Sequence, residues 1–332
     1  MTTANQQQLI GPLLKEVSRS FYLTLRVLPP PIRPQISLAY LLARATDTIA
    51  DTKVVAPARR LELLRQMRTG GVEAVAELAA QQALPAERIL LTRFGECYAM
   101  LKSFPDADQK RIGDLWQTIV SGQVFDLERF PGETEKDLVA LADDAELDRY
   151  TYLVAGCVGE FWTRMCAAHL PSWNPASSEE LGIRFGKGLQ LVNILRDLPR
   201  DLRIGRCYLP VSEPHRLLEP SNFDSIQPLY NRWLDNAVAH LDAGWQYTMA
   251  IPSSLWRLRL ACTWPIWIGL ETVALLRQSN PLEADKRVMV PQAVVNRMLA
   301  RTVLTCWCGK SLGNRYRQLR VKAMEGYVSA RP

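Results

Sequence analysis

Apolar residues recur at spacings of three and four along nearly the whole chain, and runs of strict alternation are scarce. This is the period of a helix with 3.6 residues per turn, not the two-residue repeat of a strand, so the expected fold class is all-α. Helices are expected over about 8–25, 34–51, 57–67, 71–81, 86–103, 107–127, 135–141, 145–168, 178–200, 225–248, 254–278 and 291–326, with ends good to a few residues. Prolines at 29–31, 34, 171, 175, 210, 214 and 281 punctuate them. No segment reads as a Gly/Ser linker and no repeat of fixed period is present, so residues 1–332 are expected to form a single domain.

Composition excludes several function classes. With 48% hydrophobic and 22% charged residues, the chain can bury a core and still enclose a pocket. Its net charge of +6 suits anionic ligands, an anionic membrane surface, or simply a basic solvated exterior. The basic residues look scattered and no zinc-finger or aromatic RNA-binding signature occurs, which argues against nucleic acid. The seven cysteines form no C-x-x-C pair and the three histidines (169, 215, 240) are dispersed. Neither a zinc site nor a disulfide framework is expected, and a reducing cytoplasm is the natural location. The N-terminus has no signal-peptide pattern. The most apolar stretch, Leu260 to Leu270, is 11 residues long. A span needs about 20, so this segment reads as a buried helix.

The pattern Asp-x-x-x-Asp occurs at Asp47/Asp51, Asp144/Asp148 and Asp197/Asp201. With 16 aspartates in 332 residues, roughly one such pair arises by chance, so spacing alone is weak. Context separates the three. Tyr40, Arg44, Asp47 and Asp51 form one stripe of a helix whose other positions are Leu38, Leu41, Leu42, Ala45 and Ile49. Gln190, Asn193, Asp197 and Asp201 form a second such stripe among Leu189, Leu191, Val192, Ile194 and Leu195. A polar stripe on an otherwise apolar helix should line a cavity, because ionised groups packed against hydrocarbon are too costly. Asp144/Asp148 lies instead in an acidic cluster before an apolar run, where it complements the positive end of a helix dipole.

Carboxylates at i and i+4 on two such helices suit Mg²⁺, a hard ion usually shared between a few carboxylates and substrate phosphates. The metal would draw charge from a diphosphate leaving group as its carbon–oxygen bond breaks. The alternative is structural: both pairs making buried salt bridges with Arg44 and Arg196.

Taken together, SRSF (Ser18–Phe21), YLLARATDTIAD (Tyr40–Asp51), GQVFD (Gly122–Asp126), YTYLVAGCVG (Tyr150–Gly159) and QLVNILRDLPRDLRIGRCYLP (Gln190–Pro210) resemble the squalene/phytoene synthase family, and within it squalene synthases. The likeness runs from about Ser18 to Val294, in order and spacing. It implies a single-domain, all-helical isoprenoid-synthase fold with helices around a central active-site cavity. It also implies Mg²⁺-dependent head-to-head condensation of two farnesyl diphosphates to presqualene diphosphate, then NADPH-dependent reduction to squalene. By the family's motifs, Asp47, Asp51, Asp197 and Asp201 would hold the metal, and Tyr150, Asp47 and Asp197 would be catalytic. Ser18, Arg19, Phe21, Tyr40, Arg44, Gln190, Asn193 and Arg196 would contact substrate. Arg19, Arg44, Arg196 and Arg287 are the weaker candidates for NADPH.

Residue chemistry agrees with parts of this. Arginine forks suit phosphate oxygens, and aromatic faces stabilise carbocations without attacking them. Gly156 and Gly159 would admit a prenyl chain close to the backbone, or would serve close helix packing. Tyr150 alone reads equally as a buried core tyrosine, and Ser18 alone as a helix N-cap. Three departures stand out. Ala50 and Arg200 occupy positions where the family commonly carries an acid, Pro199 is expected to kink the helix before Asp201, and Met289 replaces an expected basic residue near Arg287. The chain end lacks the hydrophobic anchor of eukaryotic squalene synthases, which suggests a bacterial type. Phytoene, dehydrosqualene or presqualene diphosphate synthesis are the nearest alternatives; a non-catalytic membrane-associated assembly factor is more remote, since all four aspartates are retained. Peripheral contact with the inner face of the membrane is expected from the basic balance and a water-insoluble product.

Overall fold

A computed structural model describes residues 3–18, 21–68, 73–283, 288–305 and 307–325. The all-α expectation holds: fifteen α-helices and short 3-10 and π turns account for nearly all regular structure among these residues. The α-carbon contacts gather into two compact units, one of residues 1–129 with 161–176, the other of residues 130–160 with 177–332.

The first unit contains α1 (Thr3–Gln8), α2 (Leu14–Ser18), α3 (Tyr22–Val27), α4 (Arg33–Ala50), α5 (Pro57–Arg68), α6 (Pro85–Thr92), α7 (Phe94–Lys102) and α8 (Asp106–Arg129). It also takes the C-terminal part of α10 (Cys157–His169). Pro34 sits at the start of α4, where its missing N–H costs nothing and its fixed φ suits the first turn. Around α4, Leu38, Leu41, Leu42, Ala45 and Ile49 are fully buried and pack toward α5, α7 and α8. Thr46 and Thr48 are buried too, but their hydroxyls donate to the carbonyls of Ala43 and Arg44 at 2.8 and 2.9 Å. Tyr40, Arg44 and Asp47 are only half-buried and Asp51 is exposed, so the polar stripe is the uncovered face of this helix.

The second unit comprises α9 (Asp144–Thr151), a π turn (Tyr152–Gly156), the start of α10, α11 (Glu179–Arg203), α12 (Phe223–Ala250), α13 (Trp256–Arg277), α14 (Gln292–Thr305) and α15 (Gly309–Met324). Here α11 is the central element, in contact with the π turn, α9, α12 and α13. The small residues after Tyr150 explain the closest approach. A Cβ on Gly159 would fall 1.9 Å from the Gly182 carbonyl oxygen, and one on Gly186 would fall 2.1 Å from that of Ala155. Helix packing therefore accounts for Gly159, one of the two readings the sequence left open. The Leu260–Leu270 stretch lies in α13 and is largely buried, and no helix among the described residues is long and apolar enough to cross a membrane.

Several helix boundaries differ from the sequence reading. The segment 135–141 is a 3-10 turn followed by β1 (Val139–Ala140), which pairs in parallel with β2 (Arg206–Cys207). Four apolar residues in a row carry no period, and only the partner strand decides their conformation. The helices expected over 8–25, 86–103 and 291–326 are each divided, and 73–81 is a 3-10 rather than an α-helix.

Pro199 does not end the helix: α11 continues through it to Arg203. The ring removes the N–H that would have bonded the Leu195 carbonyl, four residues earlier. That carbonyl instead accepts a 3.0 Å bond from the hydroxyl of Tyr230, a fully buried residue of α12. The orphan is satisfied from outside the helix, and the i,i+4 relation of Asp197 to Asp201 survives. Tyr230→Phe is expected to destabilise the protein by about 1–3 kcal/mol, the cost of a buried carbonyl left without a donor. Urea denaturation would measure it, and an unchanged midpoint would mean that the bond contributes nothing.

Candidate active site

Both stripes end at the C-terminal ends of their helices. Asp51 is the C-cap of α4, and Asp197 and Asp201 lie in the last two turns of α11. The negative pole of a helix dipole disfavours carboxylates there and attracts cations. A purely structural acidic pair belongs at the other end, and Asp144/Asp148 has that place. Asp143 caps α9 by accepting from the Glu146 N–H at 2.8 Å, and Asp144 follows in the first turn, paired with Arg232. Asp148 takes Lys187 at 2.8 Å. This pair is engaged in holding α9, as its context suggests.

In the first unit, Asp47 accepts a short hydrogen bond from the side-chain amide of Gln123 on α8. Burial, and then the charge of Asp51, push its carboxyl up to about 6, against the opposing pull of Arg44 and Gln123. Arg44 is ion-paired with Glu87 of α6, so the salt-bridge alternative fails for this pair. Arg44 Nε and Gln123 Oε1 are buried without a hydrogen-bond partner among the described residues. Tyr40 stacks on Phe21 with ring centroids 5.6 Å apart and planes 17° from parallel. Ser18 is not an N-cap but the last residue of α2; its hydroxyl donates back to the Leu14 carbonyl. Arg19 lies outside the described residues, as does Arg287.

In the second unit, Arg196 forks onto its neighbour Asp197 at 3.0 and 2.6 Å, so here the salt-bridge alternative does apply. Gln190 and Asp201 are half-buried and Asn193 is exposed. Tyr150 is 7% exposed and stacks on Tyr208, centroids 4.8 Å apart, while Phe130 meets Tyr208 edge-on at 5.1 Å. Sequence reasoning named none of Gln123, Glu87, Tyr208 or Tyr230 as site residues. Gln123 and Tyr208 were visible inside the quoted motifs; Glu87 and Tyr230 carry no local signal, since only packing brings them to Arg44 and Leu195.

The α4 carboxylates fit a divalent cation. Two like charges are held together at a helix C-terminus, one at raised pKa, beside buried polar atoms lacking protein partners. Among the described residues no three His, Cys, Asp or Glu side chains converge on one point, so each unit offers a pair rather than a cage. Such a set suits Mg²⁺, which keeps waters and takes substrate phosphates as further ligands.

The elevated Asp47 sets a pH dependence. Its proton is held more tightly in the folded state, so its contribution to stability is complete below the unfolded value of 3.8 and is lost as pH rises through about 6. Metal-free protein should therefore lose roughly 1–3 kcal/mol of stability between those limits, a decline absent from Asp47→Asn. Thermal melts across this range would show it. Parallel profiles for the two proteins would remove Asp47 as the titrating group.

The model of the squalene/phytoene synthase family matches residues 14–293, which contain both stripes and Tyr150. The chain belongs to this family. It is 31% identical over 193 residues to the presqualene diphosphate synthase of Zymomonas mobilis, covering 58% of this chain and 56% of that one. It is 27% identical over 237 residues to the squalene synthase of Rattus norvegicus, covering 69% of this chain and 54% of that one. The chain thus spans about half the length of these relatives. Among solved structures, TcSQS with the ligand E5700 superposes with a TM-score of 0.74 at 18% identity, over 96% of this chain and 97% of that one. The fold is the one expected from the sequence resemblance.

Proposed function

We propose that this squalene/phytoene synthase family member is a prenyl transferase. In this reading, residues 1–332 act as one catalytic domain that condenses two farnesyl diphosphates head to head to presqualene diphosphate and reduces this to squalene. The observation that carries the reading is the α4 stripe. It is uncovered on an otherwise buried helix and ends in a carboxylate pair in which burial, and then the charge of Asp51, raise the pKa of Asp47. Asp47 and Asp51, and separately Asp197 and Asp201, would hold Mg²⁺. When bound, the metal supplies Lewis-acid stabilisation of the departing diphosphate. Gln123 fixes the rotamer of Asp47 through its amide. Arg44 is held by Glu87 and can exchange that carboxylate for diphosphate oxygens, for which its planar fork is suited. Arg196 does the same from Asp197. Tyr150, held flat against Tyr208, presents a rigid aromatic face to developing positive charge.

For NADPH the fit is different. Arg44 and Arg196 are engaged by carboxylates, and Arg19 and Arg287 lie outside the described residues, so the candidate residues form no nicotinamide site among the described residues. The product assay decides this point. Purified protein incubated with farnesyl diphosphate and Mg²⁺ should give squalene only when NADPH is present. Presqualene diphosphate or dehydrosqualene under both conditions would reassign the product. A C40 hydrocarbon from geranylgeranyl diphosphate would make it a phytoene synthase, and no turnover of either diphosphate would sink the enzyme reading. Peripheral contact with an anionic membrane surface belongs to the same proposal, since the product is insoluble in water and the chain carries +6.

A further inference from the structure

The positive charge of the chain is not evenly spread. Helices α14 and α15 carry Arg297, Arg301, Lys310, Arg315, Arg317, Arg320 and Lys322 and no Asp or Glu, while the rest of the chain holds 33 Lys and Arg against 34 Asp and Glu. The entire basic excess therefore resides on these two helices. Apart from the first two residues of α14, both lie beyond the family-matched residues 14–293, so the shared chemistry does not require their charge.

Three of the seven are ion-paired within the second unit, against two carboxylates. Arg315 and Lys322 meet Glu271 of α13, and Arg320 meets Asp242 of α12. Arg297, Arg301, Lys310 and Arg317 are exposed and make no ion pair among the described residues. Apolar groups accompany them. Of nine large hydrophobic residues exposed among the described residues, Val303, Val321 and Met324 are on these helices and Met289 and Trp307 flank α14 in sequence. Trp307 is 60% exposed and packs its ring against Trp256 at 5.0 Å. Between the two helices runs an open groove of about 570 Å³, floored by Trp267 and Met298 and edged by Arg297, Arg301 and Arg315.

We infer that the α14–α15 face docks the protein on a bilayer containing anionic phospholipid. In this arrangement Arg297, Arg301 and Arg317 meet the headgroups, and Trp307, Val321 and Met324 sit at the interfacial level. The inference rests on the peripheral-membrane reading above and assigns its surface. A cationic face without apolar side chains would suit any polyanion; an apolar face without charge would suit a protein partner. Cations interleaved with an exposed tryptophan and aliphatic groups match the interface, where indole rings settle and each basic residue contributes about 1 kcal/mol.

The test is co-sedimentation of the full chain with vesicles of phosphatidylcholine, alone or mixed with phosphatidylglycerol, at low and high salt. The parent should bind the mixed vesicles at low salt and release at high salt. Arg297→Gln/Arg301→Gln should weaken partitioning about 30-fold, the equivalent of two such contributions. Lys15→Gln/Lys102→Gln, which removes two exposed charges elsewhere, should leave it unchanged. Trp307→Ala should weaken the binding that remains at intermediate salt. Failure of the parent to bind would overturn the peripheral reading and this inference together. Binding that survives the double arginine change, or falls equally with the lysine control, would overturn only the surface. Retention on heparin that depends on Arg297 and Arg301, with no effect of Trp307→Ala on vesicles, would make it a polyanion site instead.

Discussion

Asp47→Asn and Asp197→Asn should each lower turnover of farnesyl diphosphate by roughly 10³-fold, whereas Asp144→Asn should leave it unchanged. All three replace one member of an identically spaced pair, so the contrast isolates placement from spacing. Asp144 loses only an exposed ion pair with Arg232, worth less than about 1 kcal/mol. Asp47 sits where a helix dipole, a second carboxylate and burial all oppose its charge, an arrangement that costs stability unless a cation is the intended partner. The same variant carries its own control for folding. In metal-free protein above about pH 6, Asp47→Asn should be at least as stable as the parent, because it removes the strained anion. Lost turnover together with lost stability would instead describe a structural aspartate. Equal loss of turnover in all three variants would mean that the wrong pairs had been chosen.

Gly159→Ala should cost about 3 kcal/mol or more, the upper end of what overpacking a close-fitted interior does. Its new methyl would meet the Gly182 carbonyl oxygen at 1.9 Å, and backbone cannot move aside as a flexible side chain can. Gly186→Ala should behave alike against the Ala155 carbonyl, at 2.1 Å. Gly95 in α7 and Gly113 in α8 provide the opposite case, for nothing lies within 4 Å of a Cβ built there. There the change to alanine should stabilise by about 0.5–1 kcal/mol through helix propensity alone. Chemical denaturation of the four variants tests both signs. A neutral Gly159→Ala would mean that α10 can retreat from α11, and that the glycines are free to serve another purpose.

Much of the architecture was legible because it is periodic. The spacing in α4 and α11 identifies the helices, their buried faces and the polar stripes, since side-chain direction on a helix follows from residue number. Where period is lacking the reading failed, as at 135–141, where Val139 and Ala140 take their conformation from Arg206 and Cys207. Breaks at 93 and 307–308 were missed because the apolar spacing carries on across them.

The sequence by itself determined the all-α class, the family and the two carboxylate pairs, all of which are properties of order and spacing along the chain. Tertiary structure decided which groups those carboxylates and arginines meet: Gln123 at Asp47, Glu87 at Arg44, and Tyr230 at the carbonyl that Pro199 leaves unpaired. These are contacts between residues dozens of positions apart. They are fixed by how helices pack, and local chemistry holds no record of that.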